Sequence, residues 1–232
     1  MPELLVLLAH LFFSFQEPSP DLDRALLEAC RKGRADGVET LLKQGADVNA
    51  REVLPQSEND EEAIPSDWNE GAGGTALILA SAAGNSEVVD LLLRAGADVN
   101  AIDERGWPAI MRAAYFGHGG IVRALLESGA APDLRETSEG ATALQFAARQ
   151  NHADTVRVLL DAGANPNAAL TNGWTSLLWA VERGSAEVVR MLIEAGADPN
   201  VTTSSGVTAR QWAQRRGDQE ILALLGSEPR RN

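Results

Sequence analysis

The sequence predicts an all-α protein, built as a solenoid of about six helix-turn-helix units. Two series of residues predict this fold, because both repeat along the chain with the same period. In the first series, five near copies of the segment MLIEAGADPN (residues 191–200) share a glycine, at intervals of 51, 33, 34 and 33 residues: Gly45, Gly96, Gly129, Gly163 and Gly196. The second series has intervals of 51, 33, 34, 33 and 33 residues and consists of Gly33, Gly84, Gly117, Asn151, Gly184 and Gly217.

Each unit is predicted to hold two short helices, because the marker residues suit the ends of helices. A helix often ends in a left-handed residue, which glycine adopts freely and asparagine tolerates, and this accounts for Asn151. Between two such residues the apolar side chains recur at helical spacing, as at Val88, Leu91 and Leu92. Two helices this short cannot stand alone, so neighbouring units must stack and share a core.

The residues that open the units name a family. The segments GGTALILASAAGN from Gly73 and GATALQFAARQNH from Gly140 are examples of a T-x-L-x-x-A opening. With the G-A-D-x-N close and the period, this opening resembles the ankyrin repeat from Leu22 to about Gly226. A tetratricopeptide-type hairpin has a similar period but gives no reason for a polar turn after its second helix. The resemblance implies short β-hairpin-like fingers between helix pairs, and repeats at about 22–50, 73–105, 106–139, 140–172, 173–205 and 206–226.

The chain departs from the family pattern at the histidine that usually follows the opening leucine. The sequence therefore does not predict the hydrogen bonds that this histidine makes between repeats. The residues that replace it are Ile78, Met111, Gln145, Leu178 and Gln211.

The ends of the repeat domain, residues 21–226, are predicted to be polar caps. In the last unit Arg210 replaces the opening leucine and Gln214 replaces a small residue, so no further unit is expected to dock there. Residues 227–232 are then a C-terminal tail.

Composition argues against several functions. The net charge of −13 repels nucleic acid, and we expect a protein partner and a monomeric chain. The one cysteine, Cys30, stands at a core position, and His118 and His152 lack the spacing of a zinc site. No phosphate-binding or nucleophile motif is present, so no enzyme, cofactor or metal site is predicted.

The first twenty residues contain an apolar run from Leu4 to Phe15. This run is too short to span a membrane as a helix, but its length suits a secretory signal. The acidic start MPE and the lack of an A-x-A-like site argue against cleavage. Two interpretations stay open, a secreted or periplasmic protein with a signal peptide at 1–20, or a cytoplasmic protein with an N-terminal helix on the first repeat.

The interval of 51 residues places an insertion of 18 residues between the first two units, within residues 51–72. The segment REVLPQSENDEEAIPSDWNEGA has seven acidic side chains and one arginine. One interpretation is a solvated loop, since surface loops tolerate insertions. The other is an arm that binds a basic partner, with Trp68 as its apolar anchor. The acidic residues lack the spacing of a calcium loop.

The resemblance implies a non-catalytic scaffold that binds another protein along a concave face of first helices and fingers. An alternative is a regulatory or inhibitory subunit that covers an enzyme or a basic partner with the acidic insertion. The residues before each closing glycine or asparagine are expected to face the concave side. The candidate contacts on this face are Tyr115, Phe116, Arg149, Gln150, Glu182 and Arg183.

Tryptophans divide into two predicted groups. Trp107 and Trp174 follow opening glycines at finger tips, where they either pack on the next finger or contact the partner. Trp179 and Trp212 stand at the first-helix position held elsewhere by Leu79 and Phe146, and are predicted to face inward like Phe146. For Tyr115 and Phe116, the alternative to partner contact is that they cover the adjacent pair Ala82 and Ala83.

Overall fold

The computed structural model describes residues 20–52 and 73–226, and within these ranges the regular structure consists of helices arranged in pairs. This confirms the predicted all-α solenoid. The first helices of the six units are α1 (Pro20–Arg31), α3 (Ala76–Ala82), α5 (Ala109–Phe116), α7 (Ala143–Arg149), α9 (Ser176–Arg183) and α11 (Ala209–Arg216). The second helices are α2 (Ala35–Lys43), α4 (Ser86–Arg94), α6 (Gly119–Glu127), α8 (Ala153–Asp161), α10 (Ala186–Glu194) and α12 (Gln219–Leu224).

Neighbouring units stack helix on helix, first helices against first helices and second against second. One continuous core results. Leu77, Ile110, Leu144 and Leu177 occupy the same position in successive first helices, and all are buried. Each such side chain stabilises the stack by roughly 1.5–3 kcal/mol. Arg210 takes this position in the last unit, where Gln214 is exposed, as expected of a polar cap.

The closing residues have the left-handed backbone that their sequence predicts. Gly84 and Gly117 have φ of 77° and 78°, and Asn151 has φ of 62°. A Cβ at Gly84 would lie 2.7 Å from the His118 ring, so the next unit leaves no room for a side chain there. After Asn151, the residue that corresponds to His118 in the next unit is the short Ser185. This difference explains why asparagine is tolerated in that unit.

The recurrent polar turn after each second helix forms a ladder between units. Asp98 Oδ1 accepts the Asn100 N–H within one turn at 3.0 Å. Asn49 Oδ1 accepts the Asp98 N–H of the next turn at 2.8 Å. The same bond between turns is formed by Asn100 with Ala131, Asp133 with Asn165, and Asn167 with Asp198. The D-x-N pattern therefore supplies an acceptor for a backbone amide at every junction between successive described turns.

Short fingers connect the units through isolated antiparallel bridges. Ile102 pairs with Pro108, Ala169 with Thr175, and Thr202 with Thr208. The first finger has the same bridge, between Arg51 and Thr75, although the insertion separates these residues. The described residues on both sides of the insertion therefore keep ordinary finger pairing.

Gln145 supplies hydrogen bonds between units in place of the histidine that the family pattern has. Its Nε2 donates to Ala168 O at 2.9 Å and to Trp174 O at 3.0 Å. Its Oε1 accepts the Thr142 N–H at 2.9 Å and so caps α7. The side chain thus fixes both its own helix and the finger that carries Trp174.

Candidate functional site

The tips of the fingers and the first helices meet in a groove, called here the finger-helix groove. Its aromatic residues fall into two clusters. The central cluster contains Trp107, Tyr115, Phe116 and Phe146, and the C-terminal cluster contains Trp174, Trp179 and Trp212. Apart from the buried Phe146, all of these side chains are half-buried.

Trp107 is the middle of the central cluster. Its ring lies 4.1 Å from Phe146 and 5.8 Å from Tyr115, measured between centroids. The Arg112 guanidinium lies 4.6 Å from the Trp107 ring centroid. Trp107 therefore packs on its own first helix and on the next one, which supports a structural role. The part of its ring that stays exposed is still free to contact a partner.

A buried ion pair holds Trp107 in place. Arg112 Nε donates to Asp103 Oδ2 at 3.0 Å, and the Arg112 and Asp103 side chains are 3% and 0% exposed. Asp103 Oδ1 also accepts the Trp107 N–H at 2.9 Å. The sequence interpretation missed this pair, although an arginine at the position of Leu79 and Phe146 is a signal that could have identified it.

Tyr115 and Phe116 end α5, as the pattern predicts, but other rings cover part of both. Tyr115 lies 5.1 Å from Phe116 and 6.0 Å from Phe146, and Phe116 stacks 6.2 Å from His118. Tyr115 belongs to the side chains packed against the core, whereas Phe116 is half-buried outside that set. Phe116 is thus the better probe of binding.

Trp179 and Trp212 are less buried than predicted. Both are half-buried, whereas the equivalent Leu79 and Phe146 are 2% and 7% exposed. The Trp174 ring lies 4.2 Å from Trp179 and 5.8 Å from Trp212, so both indoles contact the finger that carries Trp174. The inward-facing prediction thus holds in part, since both indoles pack against the core while part of each stays exposed.

Arginines cover the outer faces of these indoles. The Arg149 guanidinium lies 4.6 Å from the Trp179 ring, and that of Arg215 lies 5.6 Å from the Trp212 ring. Both distances are within the range of a cation–π interaction. Arg149 is exposed and is also among the residues that line the recess described below.

The other predicted contacts lie at the same helix ends. Glu182 Oε2 is 3.6 Å from Arg183 Nε, and Arg216 Nη1 donates to the Glu182 carbonyl at 2.9 Å. Gln150 is half-buried at the end of α7. Trp68 lies outside the described residues, as does the apolar N-terminal run.

A cavity of about 180 Å³ opens between the two clusters. Trp107 and Phe146 line one side and Trp179 and Arg149 the other, with Glu139 among the finger residues. The recess thus combines aromatic rings with polar side chains, among them Glu136, Gln145 and Arg149, as protein interfaces do.

Glu136 shapes the finger beside this cavity, and the sequence interpretation missed it. Burial raises the pKa of its carboxyl, but hydrogen bonds from the Ser138 hydroxyl and from the amides of Ser138, Ala141 and Glu139 lower it more, to about 2. The carboxylate is therefore ionised near neutral pH and ties the finger together.

The residues considered for chemistry have other contacts. His118 Nε2 bonds to Ala82 O at 3.2 Å, and His152 Nε2 to Tyr115 O at 3.0 Å. Burial raises the pKa of the Cys30 thiol to about 12. In residues 20–52 and 73–226, no three His, Cys, Asp or Glu side chains are grouped to hold a metal ion. The same ranges contain no helix that is long and apolar enough to cross a membrane.

Comparison with known proteins identifies the family. The profile described as "Ankyrin repeats (3 copies)" matches residues 57–136, 77–170, 111–203 and 168–231. The profile described as "Ankyrin repeat" matches residues 22–52. The chain therefore belongs to the ankyrin repeat family, whose fold is generally a non-catalytic module for protein-protein interaction.

Similar proteins include members of very different length. A crystal structure of an ankyrin repeat domain from Acinetobacter baumannii has a TM-score of 0.73 and 33% identity, covering 86% of this chain and 95% of that one. A Schizosaccharomyces pombe glycerophosphocholine phosphodiesterase is 35% identical over 46% of this chain and 8% of its own length. The RelA-associated inhibitor of Mus musculus is 34% identical over 52% and 12%. The chain thus spans a small part of these two relatives.

Proposed function

We propose that this chain is a non-catalytic scaffold that binds a partner protein through the finger-helix groove. The observation that carries the proposal is the pair of half-buried aromatic clusters on either side of a recess. Aromatic side chains and arginine are over-represented in binding hot spots, and both kinds line this groove. We expect Trp107, Tyr115, Phe116 and Arg149 at the centre of the contact, with Gln150, Trp174, Glu182 and Arg183 around them.

Phe116→Ala tests this proposal, because Phe116 is partly exposed and is not among the side chains packed against the core. The partner is first isolated on the immobilised wild-type chain and identified by mass spectrometry. We expect its affinity for Phe116→Ala to fall about 30-fold, the equivalent of about 2 kcal/mol at a hot spot. Unchanged affinity, measured by calorimetry on a variant with wild-type melting, would move the interface away from the groove.

Arg123→Ala is the matched control. Arg123 is an exposed residue of α6, on the second helices, and its loss should leave the affinity unchanged. An equal fall in both variants would show that the effect does not depend on the groove.

A second candidate function is regulation or inhibition through the acidic insertion. The observation that favours it is the intact bridge between Arg51 and Thr75, which joins the two ends of the insertion to an ordinary finger. The relative named as an inhibitor gives this candidate a precedent within the family. Replacing residues 53–70 by a short Gly-Asn turn tests it. If the variant still binds the partner but no longer changes its activity, the result supports regulation. If the variant keeps both the binding and the effect on activity, the result contradicts regulation through the insertion.

A further inference from the structure

Charge is segregated between the two sets of helices. In units two to six, the first helices α3, α5, α7, α9 and α11 contain six arginines and one glutamate. The second helices of the same units contain four arginines and eight acidic residues. In a chain with a net charge of −13, the first helices that line the finger-helix groove are therefore the basic set, while the finger residues Glu136 and Glu139 place two carboxylates beside the recess.

Two of these arginines lie over tryptophan rings. Arg149 lies on Trp179 and Arg215 on Trp212, and stacking leaves the edge of each guanidinium open for hydrogen bonds. Within residues 20–52 and 73–226, neither side chain forms an ion pair with a carboxylate. Both guanidinium groups are therefore oriented in advance and available to an incoming anion.

Glu182 stands at the equivalent position in the unit between them. Its carboxylate lies 3.6 Å from Arg183, so this unit adds no net negative charge to the groove. Arg216 binds the carbonyls that end α9 and closes the row. Along the ends of the first helices, the pattern is therefore a cation, a neutral pair and a cation.

We infer that the partner segment that fills this groove is acidic, with an apolar side chain in the recess beside Trp107 and Trp179. Its carboxylates pair edge-on with Arg149 and Arg215, the geometry in which arginine binds a carboxylate through two parallel hydrogen bonds. The apolar side chain occupies the cavity of about 180 Å³ between the clusters. This inference rests on the proposed function and specifies the chemistry of its partner.

A peptide is a better match than nucleic acid for this groove. A nucleic acid presents a continuous run of phosphates, which the acidic second helices and the overall charge repel. A peptide places a few carboxylates at intervals and offers an apolar side chain between them. A short acidic segment can therefore pair its carboxylates with both arginines and place an apolar side chain in the recess.

Selection from a random peptide library on the immobilised full chain tests the inference. We expect the enriched peptides to contain an excess of Asp and Glu together with an apolar residue. The best peptide, labelled with fluorescein, is then measured by anisotropy against the wild type and against Arg149→Glu with Arg215→Glu. The double change should weaken binding about 100-fold, since each opposed charge contributes about tenfold. A synthetic copy of the peptide with Gln for each Glu should bind the wild type equally weakly.

The control is Arg94→Glu with Arg123→Glu, which changes the net charge equally on the second helices and should leave binding within about twofold. Arg149→Lys keeps the positive charge but not the planar guanidinium, so we expect a loss of peptide affinity between that of the control and that of the double variant. Circular dichroism melting of each variant shows that the fold is retained.

The outcomes separate this inference from the proposed function. Enriched peptides without an acidic excess, whose binding still depends on Phe116, would overturn the acidic partner and leave the groove as the binding site. Peptides that bind all groove variants equally, or a library without enrichment, would contradict both the acidic partner and the groove as the binding site. A labelled single-stranded oligonucleotide that binds more tightly than any peptide would overturn the inference in favour of nucleic acid.

Discussion

Replacing Asp103 by alanine should destabilise the chain far more than any surface charge does. The change removes the carboxylate that receives Arg112 and the Trp107 amide, and Arg112 remains 3% exposed in the core of its unit. The change takes the carboxylate acceptor away from the buried Arg112 guanidinium, and an arginine side chain stays charged in proteins. The backbone amide of Trp107 also loses the acceptor that fixes its finger.

The expected cost is about 3–5 kcal/mol, the range for breaking a buried ion pair by removal of one partner. For a chain of this size, that corresponds to a fall in melting temperature of about 10 °C. The comparison is Asp154→Ala, whose carboxylate is 94% exposed and pairs with Arg157 at 3.3 Å. Its loss should cost about 0–1 kcal/mol.

Urea unfolding followed by circular dichroism measures both variants. A third variant, Asp103→Ala with Arg112→Leu, replaces the pair by the residue found at the equivalent Leu79 and should recover most of the lost stability. A cost below about 1 kcal/mol for Asp103→Ala, or no recovery in the double variant, would refute the argument that the buried pair holds this finger.

Three further predictions concern the frame of the solenoid. Glu136→Gln should cost about 3 kcal/mol at neutral pH, because a carboxyl pKa held at about 2 rather than 4.5 contributes stability that is present above pH 4.5 and lost as the pH falls towards 2; urea unfolding between pH 7 and 2.5 should show that the difference in stability between the wild type and the variant shrinks as the pH falls. Gly117→Ala should lower the melting temperature, since its Cβ would lie 2.6 Å from the His152 ring at a φ of 78°, whereas Asn151→Gly should not; equal melting of the two variants would contradict the steric argument. Replacing residues 53–70 by a Gly-Asn turn should change the melting temperature and helical circular dichroism little, because the bridge between Arg51 and Thr75 closes the finger without them; a large loss of helix would show that the insertion is structural.

The repeat frame could be predicted from the sequence because it depends on local rules. A closing residue needs a left-handed backbone, so Gly84 and Asn151 mark helix ends wherever they occur. Apolar spacing alone places Leu92 in the core. Period and turn chemistry repeat in each unit, and each copy supports the interpretation of the others.

The surface of the groove could not be predicted in the same way. Whether Trp179 faces the core depends on Trp174 in the finger before it and on Arg149 in the previous unit, contacts that no single repeat contains. The pairing of Asp103 with Arg112 likewise joins a finger to a helix. Because Trp179 is half-buried, Trp179→Ala should cost less than the 3–5 kcal/mol of a fully buried aromatic, about 1–3 kcal/mol.

Hydrogen–deuterium exchange on the complex with the isolated partner tests the central claim most directly. Binding in the finger-helix groove should slow amide exchange in the fingers and first-helix ends of residues 104–117, 138–150 and 171–184. Exchange in the second helices α4, α6, α8 and α10 should stay as in the free chain. Protection confined to those second helices, with the groove unchanged, would contradict the account.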